Sequence, residues 1–114
     1  MNTYFNGFDT QEVTFKVMGS VLPKKAVALQ HSGEIYYPEI GGDFTGVVSS
    51  TRSGIASVII HGHAEGTFKN TIPTVGICKL SVGNLGAFEV DEENGKPYTV
   101  LSVNLNSKTF EFLL

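Results

Sequence analysis

Ile55-Ala56-Ser57-Val58-Ile59-Ile60-His61-Gly62-His63-Ala64-Glu65-Gly66-Thr67-Phe68 is the stretch that decides the fold class. Side chains in an extended chain alternate between two faces, so Ala56, Val58, Ile60, Gly62, Ala64, Gly66 and Phe68 fall on one side. The other side carries Ser57, Ile59, His61, His63, Glu65 and Thr67 and grows wetter toward its end. A helix would need apolar residues at i, i+3, i+4 and i+7, and no stretch of the chain keeps that spacing for three turns. The stretch predicts one long strand, apolar on one face.

The same grammar extends in both directions. Val13, Phe15 and Val17 alternate with Thr14, Lys16 and Met18, which predicts a half-buried strand over residues 13–17. Further strands are predicted over residues 26–29, 34–37, 44–48, 75–82, 87–90, 98–105 and 109–114. Between them stand His31-Ser32-Gly33, Gly41-Gly42-Asp43, Thr51-Arg52-Ser53-Gly54, Asn84-Leu85-Gly86, Glu93-Asn94-Gly95 and Asn106-Ser107, all rich in turn-forming residues. About nine short strands at such spacing predict an all-β fold, a small single-domain β-barrel or β-sandwich.

The 114 residues fit one domain, and no Pro/Ser-rich or charged stretch divides them. A chain of this length buries roughly two thirds of its unfolded surface, enough for a core without disulfides or a structural metal. Cys78 is the single cysteine, which excludes an intrachain disulfide, and its apolar neighbours predict a buried, inert thiol. The first thirty residues lack the basic start and apolar run of an export signal, and no segment approaches the ~20 apolar residues of a membrane span. The net charge is −3 and the basic residues are scattered, with only Lys24 and Lys25 adjacent, in a predicted solvated turn beside Pro23. Nucleic-acid binding needs a concentrated basic face, so neither nucleic acid nor membrane is an expected partner.

His61-Gly62-His63 is the one constellation that invites a metal. Histidines two apart on a strand share a face, with Cα atoms about 6.6 Å apart, close enough to hold one ion. Glu65 continues the row but lies about 13 Å from His61. Cupins carry a comparable His-x-His on a strand, but with a more distant glutamate and a later histidine that this chain lacks. A cupin-like metal enzyme is therefore an alternative, with His61 and His63 as its candidate ligands, while hydrogen-bonded or exposed histidines are the expectation. No Gly-x-Ser-x-Gly elbow occurs, Cys78 has no histidine close in sequence, and the glycines at 41, 42 and 46 do not form a phosphate-binding loop. Asp91-Glu92-Glu93 leads into Asn94-Gly95 and predicts a solvated turn, since calcium loops space their ligands alternately. The expectation is a protein without catalytic residues or cofactor.

Residues 1–12 differ in kind. Tyr4, Phe5 and Phe8 stand among Asn, Gly, Asp and Thr with no period. They predict either an extra edge strand or an arm whose aromatics anchor to a neighbouring subunit, ahead of a β domain spanning residues 13–114.

Val21-Leu22-Pro23-Lys24-Lys25-Ala26-Val27-Ala28-Leu29, then Gly33-Glu34-Ile35-Tyr36-Tyr37-Pro38, then Asp43-Phe44-Thr45-Gly46-Val47-Val48 resemble a pattern of bacteriophage capsid decoration, or head-stabilising, proteins. The similarity runs on through residues 54–62 and 75–82. It implies a structural protein of the virion, seated on the major capsid protein at the capsid surface, as a trimer or other small homo-oligomer. It implies no enzyme activity. Another phage head, tail or fibre-associated β domain would share the same grammar.

Overall fold

A computed structural model describes residues 10–114. Ten strands follow one another: β1 (Gln11–Lys16), β2 (Ala26–Leu29), β3 (Ile35–Tyr36), β4 (Gly46–Arg52), β5 (Ile55–His61), β6 (His63–Thr67), β7 (Gly76–Val82), β8 (Phe88–Val90), β9 (Lys96–Asn104) and β10 (Thr109–Leu113). The only helical turn among the described residues is a 3-10 turn at Asn84–Gly86. The strands form two antiparallel five-stranded sheets, ordered β1-β5-β4-β2-β3 and β6-β10-β9-β7-β8. The all-β expectation holds, and of the two architectures the sequence left open, the molecule is a small sandwich of two sheets.

The long strand expected over residues 56–68 breaks at Gly62, whose φ of 98° is a conformation only glycine takes at no steric cost. β5 ends in the first sheet and β6 begins in the second, so one strand becomes two. The inward residues keep their parity across the break: Ala56, Val58, Ala64, Gly66 and Phe68 are all buried. Other boundaries move too, among them the start of β9, at Lys96 rather than Tyr98. β4 runs to Arg52, so its turn to β5 is Ser53-Gly54 alone, both residues at positive φ as a two-residue hairpin requires. β1 takes in Gln11 and Glu12, exposed polar residues that carry no alternation signal, so the strand precedes the expected start at Val13.

The two sheets are built to one plan. Replacing β1 to β5 by β6 to β10 turns the first strand order into the second. Each sheet curls until its edge strands meet at one parallel bridge, Val17 with Ile35 and Phe68 with Phe88. The accompanying bonds correspond: Met18 N–H donates to the Ile35 carbonyl at 2.9 Å, as Lys69 does to Phe88 at 3.0 Å. Val17 N–H donates to Gly54 and Phe68 N–H to Lys108, both acceptors at positive φ. A bulge interrupts the ladder at the same place in both sheets, after Val48 in β4 and opposite the Glu111/Phe112 step of β10.

Each sheet encloses its own core. Val27, Ile35, Val48, Ala56 and Val58 pack with Phe15 and Val17 in the first. Leu80, Phe88, Val100, Phe110, Phe112 and Phe68 do so in the second, which also receives Ala26 and Val47 from the outer face of the first sheet. That is why adjacent Ala26 and Val27 are both fully buried, one on each face of β2. Phe88 sits at the centre, edge-on to Phe44, Phe110 and Phe112 with centroids 5.2 to 5.5 Å away. Such contacts add about 0.5–1.5 kcal/mol each beyond area burial. Phe44, expected in a strand, instead links the sheets from the loop before β4.

Two strand glycines sit in close packing of different kinds. A methyl group at Gly46 would overlap the Ile59 carbonyl oxygen and Val58 Cγ1, whereas one at Gly66 would lie 3.0 Å from the rings of Phe88 and Phe110. Backbone cannot yield as side-chain rings can. Gly46→Ala should therefore lower unfolding stability by about 2–4 kcal/mol, and Gly66→Ala by about half as much. Urea denaturation of both variants checks the order; equal losses would show that β4 can move away from β5.

Candidate functional site

The break at Gly62 separates the two histidines the sequence singled out. His61 ends β5 and is exposed, while His63 opens β6 and is partly buried. His63 Nε2 lies 2.9 Å from Glu111 Oε1 on the neighbouring strand β10. Glu111 Oε2 in turn accepts a 2.5 Å hydrogen bond from the Ser102 hydroxyl of β9. Neighbouring strands thus place Ser102, Glu111 and His63 in one row across the outer face of the second sheet. The row was not visible in the sequence, where its members lie far apart and only strand register brings them together.

The order of the row decides its chemistry. In nucleophilic catalysis the histidine stands between hydroxyl and carboxylate and takes the hydroxyl proton. Here the carboxylate stands in the middle and accepts from both sides. The Ser102 hydrogen bond, foremost, and the proximity of His63 hold the Glu111 carboxyl below its ordinary range despite partial burial. A carboxylate so stabilised is a weak base, and the arrangement serves as a polar clasp between three strands. Glu65 faces Glu111 directly in the ladder. That like-charge pair is relieved by Lys24, whose Nζ lies 3.5 Å from Glu65. The turn expected beside Pro23 is present at Pro23 and Lys24, but Lys24 and Lys25 are half-buried rather than fully solvated, and burial lowers the pKa of Lys25, with Lys69 adding to it.

No group of three or more His, Cys, Asp or Glu able to hold a metal ion occurs among the described residues. Cys78 is buried. Asp91 caps its turn, accepting from the backbone N–H of Asn94 at 2.9 Å and of Glu93 at 3.2 Å, and these bonds hold its carboxyl below the ordinary range. A shallow groove of about 220 Å³ runs between the second sheet and the loop before β4, lined by Asp43, Phe44, Lys96 and Tyr98, with Lys96 2.9 Å from Asp43 across it.

The surface is more distinctive than the grooves. Ile72, Val75, Ile77 and Leu105 are 58%, 67%, 73% and 62% exposed. Ile72 and Leu105 line one open groove with Lys69 and Lys108, and Val75 and Ile77 follow on the way into β7. Sequence alternation did not single these residues out, because apolar residues beside a strand look alike whether they face core or water. Tyr4, Phe5 and Phe8, the expected anchors, lie outside the described residues. No family model matches the chain, and no curated protein is significantly similar to it.

The Ser102–Glu111–His63 row sets a pH dependence. Because the folded pKa of Glu111 is lowered, its stabilisation is fully present above the ordinary carboxylate pKa and is lost as pH falls through the lowered value. An NMR titration should place Glu111 below the ordinary glutamate range, and Ser102→Ala should move it upward. An unchanged Glu111 titration in that variant would remove the hydroxyl from the cause.

Proposed function

We propose that this protein is a structural component of a phage virion, a decoration protein that seats on the major capsid protein and stabilises the capsid surface. The exposed apolar side chains Ile72 and Leu105, which line one groove, carry the reading, with exposed Val75 and Ile77 following in sequence. Single exposed apolar residues are ordinary, but a group of them on a small rigid domain suits contact with another protein. The resemblance of residues 21–48 to head-stabilising proteins supplies the class of partner. The two curled sheets support it in a second way, as a scaffold that presents loops and edges at fixed positions.

In this reading the aromatics Tyr4, Phe5 and Phe8 add an anchoring arm in front of β1, since interfaces concentrate their energy in a few aromatic side chains. The function is exercised at the capsid surface, requires no cofactor, and draws on chemistry no more specialised than burial of apolar area.

Co-sedimentation with purified capsids tests the proposal. Full-length protein should pellet with the capsids, and a chain lacking residues 1–9 should remain folded by circular dichroism yet bind at least tenfold more weakly, the loss of one or two buried rings. Unchanged binding by the shortened chain would place the contact on the loops instead. Absence of binding by the full-length chain would overturn the reading.

A further inference from the structure

β1 lies at the edge of the first sheet. One side pairs with β5 in an unbroken register from Glu12 opposite Ile59 to Lys16 opposite Ile55. Its other side meets only Ile35, at the single bridge to Val17, among the described residues. Gln11, Glu12, Val13, Thr14 and Lys16 are exposed. The equivalent strand of the second sheet, β6, is packed against β4.

Backbone direction identifies the groups on the open side. Val17 N–H points to Gly54 next to β5, while Met18 N–H points the opposite way to Ile35. Alternation along the strand then directs the backbone N–H and C=O of Glu12 and Thr14, and the N–H of Lys16, to the open edge. An exposed edge of this kind is a template for another strand.

We infer that β1 pairs antiparallel with β1 of a second copy, about a two-fold axis through Thr14. Hydrogen bonding requires edge-facing residues to meet edge-facing residues, so the permitted registers step by two. With Thr14 opposite its own copy, Glu12 meets Lys16 of the second copy on both sides of the axis, and Val13 covers Phe15 of the second copy. A step one way sets Glu12 against Thr14 and Lys16 against Thr10. A step the other way sets Lys16 against Thr14 and Glu12 against Met18. Only the Thr14-centred register pairs both charges, and opposite charges directly across a ladder favour it. The two-fold follows from the self-complementary edge. This dimer stands apart from the capsid reading, and either can fail without the other.

Within one chain Glu12 and Lys16 are about 13 Å apart along the strand, so they cannot pair with each other. Charge coupling between them therefore reports contact between copies. Sedimentation equilibrium of the full chain should show a concentration-dependent dimer. E12K puts two positive charges on each edge and K16E two negative ones, so each variant alone should be monomeric. An equal mixture of the two should recover the dimer, because every cross-pair is then opposite in sign. Both substitutions are at exposed positions, and circular dichroism confirms the fold. A monomeric wild-type chain, dimers undiminished in E12K, or failure of the mixture to recover dimers would each overturn the inference.

Discussion

Two cross-strand pairs set how much volume each sheet can enclose. Phe15 of β1 faces Ala56 of β5, and in the second sheet Gly66 of β6 faces Phe110 of β10. These positions correspond in the shared strand order, but the ring comes from the first strand of one unit and from the last strand of the other. Each curled sheet has room for one aromatic side chain at this site. Two would overlap, since a methyl group at Gly66 already approaches the rings of Phe88 and Phe110, and none would leave a cavity of the kind that costs several kcal/mol in a packed core. The remaining core residues follow from that choice. The second sheet, with its ring on β10, gathers Phe88, Phe110 and Phe112 into one aromatic cluster, with Phe110 and Phe112 stacked at 4.8 Å, while the first is filled by Val27, Ile35, Val48 and Val58.

This arrangement connects the packing to the surface. The edge strands of each sheet touch at one bridge around its core, and the polar row of Ser102, Glu111 and His63 ties β6, β10 and β9 together from outside. The first sheet spends the outer face of β2 and β4 on the second, burying Ala26 and Val47. Among the described residues no third layer covers the outer face of the second sheet, and Ile77 there stands exposed. Among the described residues the outer edge of β1 and this apolar surface are left uncovered.

Much of this was legible in the chain. Period-two alternation located most strands because burial on one face is strong in β5 to β7, and glycine-bearing turns separated them. The break at Gly62 was not legible, since a glycine in an alternating run keeps parity whether the strand continues or crosses to another sheet. β4 was placed early because Phe44 is apolar for inter-sheet packing, and Ser50 and Thr51 are polar on an exposed strand. The two-unit plan was hidden for the reason given above: equivalent positions exchange ring and glycine, so their residues do not match although their volumes balance. The Ser102–Glu111–His63 row depends on register between distant strands, which no local pattern encodes.

Both sheets follow one plan with the ring placed on opposite strands, and exchange of the ring within the second sheet tests this directly. Gly66→Phe alone should unfold the domain by overpacking, and Phe110→Ala alone should cost about 3–5 kcal/mol. The double variant G66F/F110A reproduces the Phe15 and Ala56 arrangement, and thermal unfolding should show a Tm above that of both single variants. A Tm for the double variant at or below that of Phe110→Ala would contradict the shared plan.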